Sequence, residues 1–131
     1  MGDATVGVID DDQAVRRGLV RMLTACGFLV EAYESATEFL QQATPDAVDC
    51  LLVDVRMPEM TGFDFREHLT QRGYDLPIIF ITGDDDTVAS EASQRDGIRI
   101  LVKPFDEDSL LAAIDDVLRD KAAGRHGPPA S

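Results

Sequence analysis

The stretch Cys50-Leu51-Leu52-Val53-Asp54 constrains the fold more than any other. Consecutive apolar residues suit a strand buried on both faces, because a strand with one wet face alternates instead. The run stops on an acid, and Val55-Arg56-Met57-Pro58-Glu59-Met60-Thr61-Gly62 follows as a Pro- and Gly-marked loop. An acid where such a strand ends stands at the rim of a sheet, the place where open α/β proteins put their sites. Asp54 is therefore the first candidate functional residue.

The same unit recurs along the chain. Residues 4–9 read as a first buried strand closed by Asp10-Asp11-Asp12, and residues 77–81 as a fourth, ending on Thr82-Gly83. Residues 98–102 read as a fifth, ending on Lys103-Pro104. The second strand, 28–33, is more polar and so nearer an edge.

Helical spacing fills the intervals. Val15, Leu19, Met22, Leu23 and Cys26 share one face, and Gly27 stops that helix. Ser35 with Glu38 is a capping box for a second helix bearing Phe39, Leu40 and Ala43. Residues 63–72 form a third helix with Leu69 inward, and 87–95 a fourth with few apolar anchors. Asp106 caps a fifth, whose face runs Leu110, Leu111, Ile114, Val117, Leu118. Five strands alternating with five helices predict a parallel sheet covered on both faces, in the flavodoxin-like order 2-1-3-4-5.

At 131 residues the chain is one domain by length. The expected boundaries are 1–121 for the domain and 122–131 for a linker or disordered tail. No apolar run approaches the ~18 residues of a membrane span. Cys26 and Cys50 lie inside apolar patterns and read as buried free thiols, which places the chain in the cytoplasm. With a net charge of −13 and no basic stripe, the domain is not expected to bind nucleic acid.

Asp10, Asp11, Asp54, Thr82 and Lys103 thus come to one rim from separate strand ends. Two unit charges ~5 Å apart interact by roughly 3 kcal/mol at an effective dielectric of 20, so clustered carboxylates repel strongly. A hard divalent cation relieves this, and an all-oxygen site suits Mg²⁺ or Mn²⁺. Lys103 adds a positive charge and Thr82 a hydroxyl, which suits phosphoryl transfer. The nucleophile would be a carboxylate, Asp54, because no Ser or Cys stands at the centre.

Val-Ile-Asp10-Asp11, Leu-Leu-Val-Asp54-Val-Arg-Met-Pro-Glu-Met-Thr-Gly62, Phe-Ile-Thr82-Gly83 and Val-Lys103-Pro104-Phe105 together resemble the receiver domain of bacterial two-component response regulators. The resemblance spans residues 5–121 and implies a CheY-like three-layer sandwich. It implies that Asp54 accepts phosphate from a sensor histidine kinase or phosphotransfer protein. Mg²⁺ would be held by Asp11, Asp54 and the Arg56 backbone carbonyl, with Asp10 helping through water. Lys103 would pair with Asp54 or its phosphate, through a cis Lys103-Pro104 bond, and Thr82 would turn inward as the switch. The face of the fourth helix, fifth strand and fifth helix would then report to an output domain or partner protein, with a homodimer as one outcome. Such a domain is a switch rather than a turnover enzyme, although it catalyses its own phosphorylation and dephosphorylation.

Two positions depart from the pattern. The second switch position, often aromatic in receivers, is Ile100, which has no ring to rotate. Arg56 and Asp84 are expected to form an ion pair across the mouth of the site. Rival functions fit less well. A haloacid-dehalogenase-like phosphatase needs a second acid where Arg56 stands, and a flavodoxin-like cofactor protein needs a phosphate loop where Asp10-Asp11-Asp12 stands. A phosphate-independent interaction module leaves the acids and Lys103 without a use.

Overall fold

The computed structural model describes residues 4–42, 47–83, 99–103 and 105–122. Its elements in chain order are β1 (Thr5–Ile9), α1 (Gln13–Ala25), β2 (Leu29–Tyr33), α2 (Ala36–Gln42), β3 (Cys50–Asp54), α3 (Gly62–Gln71), β4 (Ile78–Thr82), β5 (Arg99–Val102) and α4 (Glu107–Ala122). The strands form one parallel sheet in the order β2-β1-β3-β4-β5, as the alternation predicts. The fourth helix expected over 87–95 lies outside the described residues, so α4 corresponds to the fifth helix of the sequence reading.

The sheet faces separate cleanly by residue parity. Leu51 and Val53 of β3, with Ile78 and Phe80 of β4, pack against Phe39 of α2 and Phe65 and Leu69 of α3. Cys50 and Leu52, with Ile79 and Ile81, pack against Leu19 and Leu23 of α1 and Leu110, Ile114 and Val117 of α4. Both faces are covered, which is why β3 and β4 show no polar alternation. Phe65 is fully buried beside Leu69, an inward residue that the sequence reading of this helix had not singled out.

The ends of the helices follow local chemistry. Asp12 caps α1, its carboxylate accepting from Ala14 N at 2.9 Å and Val15 N at 3.2 Å. Gly27 and Gly73 take positive φ (96° and 86°) just beyond α1 and α3, a conformation that costs other residues strain. The Ser35 hydroxyl accepts from Glu38 N at 3.0 Å, the first half of the expected box. Asp106 accepts from Ser109 N at 2.7 Å and starts α4.

One expectation about the cysteines needs correcting. Both thiols are free, but only Cys50 is buried. Cys26 sits at the C-terminal cap of α1, half-exposed, and its thiol donates to Glu107 Oε1 at 3.3 Å. The cap position turns it away from the apolar row that it continues in sequence. The carboxylate accepting its proton, with burial adding to the effect, pushes the Cys26 thiol pKa up.

Candidate functional site

The strand register builds the site. Ile9 lies beside Val53, so the next residue of each strand, Asp10 and Asp54, emerge at one level on neighbouring strands. Asp54 lies beside Ile81 and Thr82 beside Val102, so Thr82 and then Lys103 follow one step further up the rim. The Lys103 amide donates to the Thr82 carbonyl at 2.8 Å and continues the ladder past the end of β5.

Asp10, Asp11 and Asp54 each place a carboxylate oxygen within 4.8 Å of the others. They differ in burial: Asp10 is 1% exposed, Asp54 half-buried and Asp11 exposed. Asp10 Oδ1 accepts from Asp12 N at 2.9 Å, whereas its Oδ2 is buried and has no hydrogen-bond partner among the described residues. A buried acceptor left unmade costs about 1–3 kcal/mol.

Burial pushes the Asp10 pKa up to about 6, the Asp12 amide works against this, and the neighbouring Asp54 charge adds to it. Burial likewise raises the Asp54 pKa, opposed by the Arg56 amide and by Lys103. The Lys103 charge acts on both carboxylates in the same stabilising direction.

These residues fit a divalent cation. The donors are all oxygens, their charges repel, and the buried Asp10 Oδ2 is the kind of hard donor such a cation takes. Arg56 stands beside them through its backbone, its amide donating to Asp54 Oδ1 at 3.0 Å. The bridge between Arg56 and Thr61 and the Gly62 N to Val55 O bond of 2.9 Å fold the intervening loop back on itself. A capping box of Thr61 and Asp64 then starts α3, and the Thr37 hydroxyl donates to Glu59, tying the loop to α2.

Thr82 is 3% exposed, and its hydroxyl donates to the Gly83 carbonyl at 3.4 Å. Ile100 is half-buried and packs at the margin of the α2–α3 side of the core. Asp84 and Pro104 lie outside the described residues, and with them the expected ion pair and the cis bond. The last residue of the expected linker that is described, Ala122, ends α4.

Two contributors escaped the sequence reading. The Arg16 guanidinium donates to the Asp10 carbonyl at 2.7 Å and lies 3.9 Å from Glu34, holding the end of β1. Nothing in the local pattern of α1 marks that arginine. Gly62, which marks the loop in sequence, takes no positive φ. Its role is close approach: a Cβ there would stand 3.0 Å from the Asp54 carbonyl oxygen, 3.1 Å from Phe80 and 3.2 Å from Val53. Gly62→Ala is therefore expected to destabilise the fold by about 1–2 kcal/mol in urea unfolding, because backbone and core on both sides resist displacement. A neutral or stabilising effect, as helix propensity alone predicts, would contradict this reading.

Comparison with known proteins decides the family. The model of the response regulator receiver domain matches residues 6–115. The chain belongs to the response regulator receiver domain family. The response regulator protein TmoT of Ectopseudomonas mendocina is 39% identical over 118 residues, which are 89% of this chain and 54% of TmoT. The transcriptional regulatory protein FixJ of Rhizobium meliloti is 36% identical over 116 residues, 88% of this chain and 57% of FixJ. The crystal structure of FixJ-N superposes with a TM-score of 0.80 at 36% identity, covering 91% of this chain and 96% of that one. The receiver thus spans about half the length of the curated relatives it matches. Receivers are signalling modules of two-component systems, and the family typically binds Mg²⁺ at an acidic pocket; Asp10, Asp11 and Asp54 form an acidic cluster in this chain.

Proposed function

We propose that this receiver is a phosphorylation-dependent switch in which Asp54 takes a phosphoryl group from the phosphohistidine of a sensor histidine kinase or phosphotransfer protein. An Asp54 carboxylate oxygen attacks phosphorus, the P–N bond breaks with its electron pair going to the imidazole nitrogen, and that nitrogen takes a proton from solvent. The observation that carries this reading is the meeting of three carboxylates around one buried, unpartnered oxygen, with the Lys103 charge acting on two of them.

Asp10, Asp11, Asp54 and the Arg56 carbonyl would hold Mg²⁺, or Mn²⁺ in its place. Bound there, the cation supplies positive charge against the phosphoryl oxygens. Lys103 supplies a second positive charge to the same oxygens, and Thr82 a hydroxyl that turns from the Gly83 carbonyl to a phosphoryl oxygen. An aspartyl phosphate carries on the order of one more negative charge than a carboxylate. That charge draws Thr82 and Lys103 inward and biases β5 and the helices beside it. Ile100 follows as packing, since a branched aliphatic has no ring to swing.

In this account residues 1–121 form the switch and 122–131 connect it to an output domain or partner, in the cytoplasm. The phosphorylated face reports by protein contact, including a homodimer, and the receiver itself touches neither nucleic acid nor membrane. No described helix is long and apolar enough to cross a membrane. Incubation with Mg²⁺ and a small acyl-phosphate donor tests the proposal by intact mass. A gain of one phosphate that needs Mg²⁺ and disappears in Asp54→Asn is expected. An equal gain in Asp54→Asn, or no gain in the wild type, would overturn it.

A further inference from the structure

A second feature of the surface lies between α1 and β2, and one of its residues, Arg16, also reaches the Asp10 carbonyl. Arg16, Arg17 and Arg21 look unremarkable in sequence, but helical winding gathers them. They border a groove of about 710 Å³ between α1 and β2, open to solvent along its length. One row of the helix carries Arg17, Arg21 and Ala25, the next runs from Arg16 to Thr24, and Ala32 of β2 lies opposite. None of the groove's lining residues is acidic, in a chain of 25 acids and 12 Lys and Arg.

These arginines do not serve the helix. Arg17 and Arg21 stand four apart on one face, a spacing at which like charges repel. They stand away from the helix C-terminus, where the dipole would favour a base, and the last turn carries none. Arg16 is engaged with Asp10 and Glu34, but neither exposed Arg17 nor Arg21 has a hydrogen-bond or ion-pair partner among the described residues. The uncharged lining is Val20, Thr24, Ala25 and Ala32, none larger than a valine. The flanking strand β2 is the outer strand of the described sheet. An outer strand offers its backbone for pairing, and an open groove of this kind does not enclose a small molecule.

We propose that the α1–β2 groove receives an extended acidic segment of a partner protein. Its carboxylates pair with Arg17 and Arg21 in bidentate fashion, and its backbone runs along the free edge of β2. The acidic remainder of the surface repels the same segment elsewhere, so the groove also sets where it lands.

The test uses the full, unphosphorylated chain and a fluorescein-labelled short peptide alternating Glu and Val, read by anisotropy at low ionic strength. Binding should weaken by about tenfold or more in Arg17→Glu/Arg21→Glu and stay unchanged in Arg72→Glu, a reversal at the exposed residue just after α3. Amide shifts on titration should fall on α1 and β2. Thermal melting checks the fold, and Arg17→Gln/Arg21→Gln replaces the reversal if that variant unfolds. A change of less than about twofold in the groove variant overturns the proposal. So do shifts confined to other surfaces, or inorganic pyrophosphate binding the groove while the peptide does not.

Discussion

Metal-free protein carrying Asp10→Asn is expected to be more stable than the wild type at neutral pH, by about 1–3 kcal/mol. The reason is the buried acid itself. In the fold the Asp10 pKa is pushed from 3.8 up to about 6, by burial first and by Asp54 and Asp11 in addition. Below the lower value the carboxyl is protonated in both states and costs nothing. Between the two the folded chain holds a proton that the unfolded chain has released, so stability falls as pH rises through this window. Above about 6 the full cost remains, near 3 kcal/mol for a shift of this size. The raised Asp54 pKa acts in the same direction.

Asn removes the charge but keeps a buried polar atom, so only part of the cost is recovered. Denaturant melts across pH, with a chelator present, measure this as the difference between variant and wild type. That difference should be near zero at low pH and open as pH rises to neutral. Mg²⁺ should reverse the order, because ligand at ~100 times its Kd adds about 2.7 kcal/mol to whichever protein binds it. An Asn variant that is less stable than the wild type at neutral pH without metal would show that Asp10 stabilises the fold rather than straining it.

Phe39→Ala is expected to cost about 3–5 kcal/mol in urea unfolding. Phe39 is fully buried and meets Tyr33 edge-on at 5.2 Å and Phe65 edge-on at 5.6 Å. It therefore joins β2, α2 and α3, and α2 is too short to hold itself to the sheet by propensity. Against a typical stability of about 5–15 kcal/mol the loss leaves little reserve. Phe39→Leu should cost less than half as much, since it keeps most of the volume. A loss below about 1.5 kcal/mol in the Ala variant would mean that α2 contributes little to the core.

The parts of this fold that were legible in sequence are those that local chemistry decides. Strands β3 and β4 announced themselves because both faces are covered, which leaves uninterrupted apolar runs. Their ends gave the order of the site residues, because a parallel sheet brings every C-terminal strand end to one rim. Gly27 and Asp106 acted as stop and cap for reasons confined to a few residues.

What stayed hidden depends on contacts across the chain. Gly62 is needed because Asp54, Phe80 and Val53 crowd it, and none of these is near enough in sequence to reveal that. Arg16 reaches back to the Asp10 carbonyl only once α1 has docked. Cys26 continues an apolar row in sequence but leaves it where the helix ends. The difference in burial between Asp10 and Asp11, adjacent in sequence, is likewise a property of the docked strand and not of either residue.

The central claim is that Asp54, and not one of the other two clustered acids, takes the phosphate. Borohydride reduces an aspartyl phosphate at its carbonyl carbon to homoserine, which marks the acceptor permanently. Protein treated with Mg²⁺ and an acyl-phosphate donor, reduced, digested and sequenced by mass spectrometry should carry homoserine at position 54 alone. Homoserine at position 10 or 11 with residue 54 intact would contradict the account.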